Sequence, residues 1–140
     1  MTNDALDGID IGKRVEFRKT VSESDIYLFA GITGDFDPLH IDEEFCKTTP
    51  FGRRIAHGAL IIGYMSTASS MMTRGMDRAV ASLGFDRIRH VAPVFIGDTV
   101  TVVYEIKATD PARGRATAAI TVTNQHGETV AVAAHILKAV

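Results

Sequence analysis

Apolar and polar residues alternate with a period of two through much of the second half of the chain, a pattern typical of half-buried strands. An earlier stretch, RVEFRKT, alternates in the same way and predicts a first strand over residues 14–20. The later strands are predicted in SLGFDRIRHV (82–91), DTVTVVYEIKAT (98–109), GRATAAITVT (114–123) and ETVAVAAHILKAV (128–140). The loop NQHGE predicts a hairpin turn, because Gly127 can adopt a positive φ angle.

Between the first strand and the later ones, the apolar spacing changes to the helical period. SESDIYLFAGITG predicts a helix over residues 22–34, with one of its two serines as the cap and a glycine at its end. Residues 35–51 contain Asp-Pro and Thr-Pro steps, which are typical of turns, so this segment is expected to be irregular. A short helix over residues 42–47, capped by Asp42, is predicted inside it.

The stretch AHGALIIGYMSTASSMMTRG, residues 56–75, predicts a helix of an unusual kind. It has no charged residue between Ala59 and Thr73, so about four turns of helix are expected to be buried on most of their circumference. The strands that follow can supply the cover. The pattern therefore predicts an α+β fold in which a curved antiparallel β-sheet wraps around a long central apolar helix. The open edges of such a sheet favour a homodimer or a multiple of dimers.

Composition limits the class of protein. A chain of 140 residues with 46% hydrophobic content predicts a single domain over residues 1–140. The net charge of −2 and the lack of a basic block argue against nucleic acid or a membrane surface as partner. No segment has the features of a signal peptide or a membrane span. Cys46, the single cysteine, is interpreted as a packing residue. Since one cysteine cannot form an internal disulfide and suits a reducing compartment, a cytoplasmic protein is expected.

The segment TGDFDPLH, residues 33–40, contains the first candidate chemistry. Asp35 and His40 flank an Asp-Pro step, and Pro38 makes the turn stiff. A stiff turn suits an acid/base pair, because proton transfer requires a fixed and short reach. A purely structural role is the alternative, since Asp37 before a proline is also a good turn or helix cap.

The segment RIAHGAL places His57 and Gly58 at the start of the apolar helix. A helix start offers free backbone N–H groups, and Gly58 has no side chain to block access, so its N–H could polarise a carbonyl oxygen. Alternatively, Gly58 only permits a tight entry to the helix, and His57 is interpreted first as a capping or packing residue. The five histidines are dispersed and form no zinc-binding spacing, so no metal site is expected.

Three motifs in order, TGDFDPLHIDEEF, FGRRIAHGAL and APVFIGDTV, closely resemble the MaoC-like family of (R)-specific enoyl-CoA hydratases and 3-hydroxyacyl-CoA dehydratases, which have the hotdog fold. The resemblance covers nearly the whole chain. It implies that Asp35 and His40 activate water and that the Gly58 N–H binds the thioester carbonyl. It implies an acyl-CoA substrate, with an acyl-carrier protein as a possible carrier, and no cofactor. Ser66 is implied as a supporting residue near the aspartate.

The chain departs from the family pattern at two positions. Asp37 stands where the motif usually has asparagine, which removes an amide donor and adds a negative charge. His90 stands where many relatives have an aromatic residue, and it is interpreted as a partly exposed strand histidine or as a substrate-side substitution. Four arginines are candidates for contacts with the negatively charged CoA, with a solvated surface charge as the alternative for each of them: Arg53, Arg54, Arg87 and Arg89.

Two other functions remain open at this stage. Hotdog folds also serve as acyl-CoA thioesterases, although these often have an acidic residue on the central helix, where this chain has none. A non-catalytic subunit that binds acyl thioesters is the other alternative.

Overall fold

The computed structural model describes residues 6–140 of the chain. The expectations that no signal peptide is present and that the domain begins at residue 1 involve residues 1–5, which lie outside the described residues. No helix in the described range is both long enough and apolar enough to cross a membrane.

Five strands form one antiparallel sheet, in the spatial order β1-β3-β4-β5-β2. Their bounds are β1 Arg14–Thr20, β2 Val80–His90, β3 Thr99–Asp110, β4 Arg115–Thr123 and β5 Thr129–Ala139. All five predicted strands are therefore confirmed. In β3 the side chains on one face of the sheet, from Val100 to Ile106, are fully buried while their neighbours are partly exposed, which is the alternation that the sequence showed.

Helices α1 (Glu23–Thr33), α2 (Pro38–Ile41) and α3 (Glu43–Cys46) precede the central helix. Ser22 caps α1 through a capping box, and Gly34 ends it in the left-handed conformation at φ 83°. Asp42 caps α3 as predicted. Helix α2 itself was not predicted, although the Asp-Pro step was interpreted as a turn or a helix cap, and Pro38 occupies the first position of this helix. Cys46 is fully buried, as expected of a packing residue, and burial raises the pKa of its thiol.

Helix α4 (Gly58–Met72) is the central apolar helix, and it packs against β1 and β3. One face is buried, through Ile61, Tyr64, Met65, Ala68, Ser69 and Met72. The opposite face is exposed and carries only small residues: Ala59, Gly63, Ser66 and Ser70. This differs from the expected burial on most of the circumference, because a single five-stranded sheet covers one side of a helix.

Arg54 ties the loop before α4 to the first helices. Its guanidinium lies 2.6 Å from Glu23 on α1 and 2.6 Å from Glu43 on α3, and it also donates to the Tyr27 hydroxyl at 3.0 Å. These hydrogen bonds, first to Glu23 and then to Glu43, raise the pKa of Arg54 above its usual value. Two carboxylates therefore hold the Arg54 guanidinium against the first helices. A contact between Arg54 and the CoA phosphates stays a prediction.

Two buried polar side chains, His135 and Tyr104, form a hydrogen-bonded network with the exposed Ser82. On β5, His135 is 1% exposed; its Nε2 lies 2.6 Å from Ser82 Oγ on β2 and its Nδ1 lies 2.7 Å from the Tyr104 hydroxyl on β3. Phe85 stacks on the imidazole with ring centroids 4.3 Å apart. Burial lowers the pKa of His135 below its ordinary value and raises the pKa of Tyr104 to about 12. Both side chains are therefore neutral in the folded protein near neutral pH.

The His135 network predicts a loss of stability in mild acid. Because the pKa of His135 is lower in the folded than in the unfolded chain, the unfolded chain takes up the proton first as the pH falls. The contribution of His135 to the free energy of unfolding is fully present above about pH 6.5. It is lost as the pH falls through the lowered pKa of the folded protein, by at most about 1.4 kcal/mol per pH unit. Urea unfolding at several pH values measures this slope. His135→Asn should reduce it, whereas His126→Asn, at an exposed histidine of the β4–β5 turn, should not. An unchanged slope in His135→Asn would contradict the prediction.

Candidate active site

Asp35 and Asp37 lie in the loop that joins α1 to α2. Gly34 ends α1 in the left-handed conformation, and Asp35 follows it directly. Asp37 is the cap of α2, because its Oδ1 accepts a hydrogen bond from the Leu39 N–H at 2.9 Å. Asp37 thus has the structural role that the sequence left open as an alternative.

His40 lies on α2, and the chain before α4 fixes its orientation. Its Nδ1 lies 2.8 Å from the Ile55 carbonyl, and because a carbonyl only accepts, this nitrogen carries the proton. The Ile55 N–H in turn donates to the Leu39 carbonyl at 3.0 Å, and Ile55 forms a bridge with Phe95. In the neutral ring Nε2 therefore bears a free lone pair, which is the form of imidazole that can accept a proton.

His57 contacts both Asp35 and His40, through a hydrogen bond to the first and a ring stack with the second. Its ring is 1% exposed, and Nε2–H donates to the backbone carbonyl of Asp35 at 2.9 Å. It stacks on the His40 ring with centroids 3.7 Å apart and contacts the Phe29 ring at 4.8 Å. The side chain makes no capping hydrogen bond to α4. Of the two roles considered from sequence, packing is the one that the structure shows.

The side chains of Asp35, His40 and His57 converge. One carboxylate oxygen or ring nitrogen from each lies within 4.8 Å of the others. The two imidazoles are nearly parallel, at an interplanar angle of 27°, and an ion must lie close to the plane of each ring that binds it. Stacked rings do not direct two lone pairs at one ion, so the arrangement suits proton transfer better than metal binding.

Beside this group lies a cavity of about 310 Å³. His40 and Gly58 line one part of it, and the remaining wall is mostly apolar, including Ile61, Val91 and Val94. Gly58 is the first residue of α4, and within residues 6–140 neither its N–H nor that of Ala59 has a hydrogen-bond acceptor. The cavity therefore brings together a proton-accepting nitrogen, free N–H groups at a helix start and an apolar wall.

Other candidates lie elsewhere. Ser66 is exposed on α4, eight residues beyond Gly58 and thus roughly 12 Å further along the helix axis. The Arg53 guanidinium stacks over the Phe95 ring at 3.9 Å from the centroid. Arg87 and Arg89 are exposed on β2, where the pairing with β5 shifts register.

Sequence reasoning missed two contributors to the site. Phe29 on α1 packs against His57, and the Ile55 backbone sets the tautomer of His40. A helical period indicates that Phe29 is buried but not which residue it meets. Val94 and Phe95 pair with residues 56 and 55, and nothing in the local sequence of the APVF stretch identifies this pairing.

Comparison with known proteins gives one consistent result. Residues 8–130 match the MaoC like domain family. The chain is 38% identical over 106 residues to the (R)-specific enoyl-CoA hydratase of Rhodospirillum rubrum, an alignment that covers 76% of this chain and 72% of that protein. It is 37% identical over 116 residues to the 3-hydroxybutyryl-CoA dehydratase of Methylorubrum extorquens, covering 83% and 72%. The solved (R)-hydratase from A. caviae superposes with a TM-score of 0.85 at 28% identity, covering 93% of this chain and 96% of that one.

Proposed function

Because the chain belongs to the MaoC-like family, we propose that it is an (R)-specific enoyl-CoA hydratase that also catalyses the reverse dehydration of a 3-hydroxyacyl-CoA. The observation that carries this proposal is the convergence of Asp35 and His40, within 4.8 Å, beside a cavity whose wall includes the Gly58 N–H at the start of α4. The relatives named as hydratase and dehydratase, at 37–38% identity, support the same reaction.

The site supplies each step of water addition. The Gly58 N–H binds the thioester carbonyl oxygen and draws electrons away from the β-carbon. The Asp35/His40 pair accepts one proton from water, and the water oxygen bonds to the β-carbon while the double-bond electrons move to form the enolate. The pair then gives a proton to the α-carbon, so that it returns to its starting state and the product has gained one water. This chemistry requires no cofactor beyond the CoA of the substrate.

The apolar wall and the helix start suit an acyl thioester, and the carrier is proposed to be CoA. Arg53, whose guanidinium packs on Phe95 close to the Ile55 segment, is proposed as a phosphate contact near the cavity. Asp37 and Ser66 have no proposed role in proton transfer, because Asp37 caps α2 and Ser66 is exposed on α4 roughly 12 Å along the helix from Gly58. His57 is proposed as a positioning residue for Asp35 and His40.

Loss of the enoyl-thioester absorbance of crotonyl-CoA tests the proposed function. A four-carbon substrate is chosen because one relative is named a 3-hydroxybutyryl-CoA dehydratase. Free thiol is measured in the same samples with a thiol-reactive dye. Loss of the double bond without thiol release is expected. Thiol release at the same rate would indicate a thioesterase, and no change in either signal with crotonyl-CoA or a longer enoyl-CoA would support a non-catalytic binding subunit.

The protein is also proposed to be a homodimer that pairs through the free edge of β2. Within the described chain β1 and β2 are the edge strands, and β2 is the longer one, with 11 residues against 7. Leu83, on β2, is 51% exposed although it is apolar. Leu83→Glu should shift the sedimenting mass to one chain, whereas Ile32→Glu, at an 84% exposed position on α1, should leave the dimer intact. A monomeric wild type, or equal effects of both variants, would contradict this interface.

A further inference from the structure

His90 is a polar side chain on the cavity wall for which the proposed reaction has so far no use. It is the last residue of β2, and its ring lies directly over Gly58 at the start of α4. A Cβ atom placed on Gly58 would lie 2.6 Å from Nε2, 2.8 Å from Cδ2 and 3.0 Å from Cε1 of this ring. The imidazole therefore occupies the space that any side chain at position 58 would need, with Nε2 as its nearest atom.

The ring nitrogens of His90 are available to a ligand. Across residues 6–140 neither nitrogen has a hydrogen-bond partner, and the side chain is exposed at the cavity. The neighbouring wall residues Val91, Ala92, Pro93 and Val94 offer only apolar side chains. A free imidazole nitrogen in such a wall, next to a free helical N–H, makes a site for an oxygen atom that can accept two hydrogen bonds.

We propose that His90 Nε2–H is a second hydrogen-bond donor to the thioester carbonyl oxygen, beside the Gly58 N–H. The inference rests on the proposed function and extends it by one substrate-binding residue. Negative charge develops on this oxygen as the enolate forms, so a second donor stabilises the transition state more than the bound substrate. An aromatic ring without a donor at this position would fill the same space but would donate no hydrogen bond to the carbonyl oxygen.

Two variants separate donation from shape. His90→Phe keeps a ring of similar size and removes the donor, whereas His90→Gln keeps an N–H donor and removes the ring. Because a hydrogen bond to a charged group is worth somewhat more than one between neutral groups, His90→Phe is expected to lower kcat for crotonyl-CoA about tenfold and to raise KM by a smaller factor. His90→Gln should keep most of the activity. If His90→Phe retains wild-type kcat, or if His90→Gln is equally impaired, the proposal is wrong.

The pH profile of kcat distinguishes hydrogen-bond donation by His90 from proton transfer by His90. The Nε2–H tautomer of the neutral imidazole and the charged imidazolium both donate from Nε2, so His90→Phe should lower the whole profile without removing a limb. Loss of a limb would instead assign proton transfer to His90 and overturn the donor role.

A binding measurement keeps this test separate from the test of the hydratase function. Butyryl-CoA has the carbonyl but no double bond, and its thioether analogue S-butyl-CoA lacks the carbonyl. The quantity measured by calorimetry is the dissociation constant of S-butyl-CoA divided by that of butyryl-CoA. This ratio should exceed one in the wild type, fall in His90→Phe and recover in His90→Gln. A ratio that is the same in all three proteins would overturn the proposal even if crotonyl-CoA is hydrated. The expected ratios would support it even if crotonyl-CoA is not turned over.

Discussion

Asp35→Asn is expected to lower kcat for crotonyl-CoA hydration by about 10²- to 10⁴-fold, the range that a positioned acid or base contributes. The change removes the ionisable oxygen and keeps the size of the side chain. The backbone carbonyl of Asp35 still accepts the hydrogen bond from His57, so the loop should keep its place. The measurement is the initial rate of enoyl-absorbance loss, with circular dichroism to show that the variant is folded.

Asp37→Asn is the matched control, because the same chemical change is made two residues away. An asparagine oxygen can accept from the Leu39 N–H as the aspartate does, so the cap of α2 is preserved and kcat should stay within about twofold. His40→Ala should lose activity to a similar extent as Asp35→Asn, and the double variant should be little worse than either alone, because the two residues act as a unit. Equal losses in Asp35→Asn and Asp37→Asn would contradict the assignment.

Gly58→Pro is expected to lower kcat by about 10²- to 10³-fold, the loss typical of removing one oxyanion donor. A proline has no N–H, and it is tolerated at the first position of a helix. The backbone of His57, at φ −59° and ψ 134°, already has the extended conformation that a following proline requires. The substitution thus removes the donor while the start of α4 can persist.

Gly58→Ala controls for the steric part of this change. Its Cβ would meet His90 Nε2 at 2.6 Å just as the proline ring would, so both variants must displace the His90 ring. Only the alanine variant keeps the N–H. The ratio of kcat between Gly58→Ala and Gly58→Pro therefore isolates the backbone donor, and a ratio near one would show that the Gly58 N–H does not bind the carbonyl.

The strands and the central helix could be predicted from the sequence because their hydrophobic period is regular. The alternation in β3 and the uncharged stretch of α4 follow directly from residue order. The approach of Asp35 to His40 could also be anticipated, because Pro38 limits the turn between them.

Contacts between distant segments could not be predicted in this way. The stack of His57 on His40 and the two ion pairs of Arg54 join residues from separate elements, and nothing in their local sequence identifies the partner. The same applies to His135, whose partners Ser82 and Tyr104 lie on two other strands. The period of two places His135, Ser82 and Tyr104 on faces of their own strands, but the order of the strands in the sheet determines which of them meet.

The configuration of the product formed from crotonyl-CoA tests the central claim most directly. Wild-type protein is incubated with crotonyl-CoA, and the 3-hydroxybutyryl-CoA is separated by chiral analysis after hydrolysis, beside a sample treated with Asp35→Asn. The proposed function predicts the (R) product from the wild type and almost none from the variant in the same time. Formation of the (S) product, or the (R) product at an equal rate with Asp35→Asn, would contradict it.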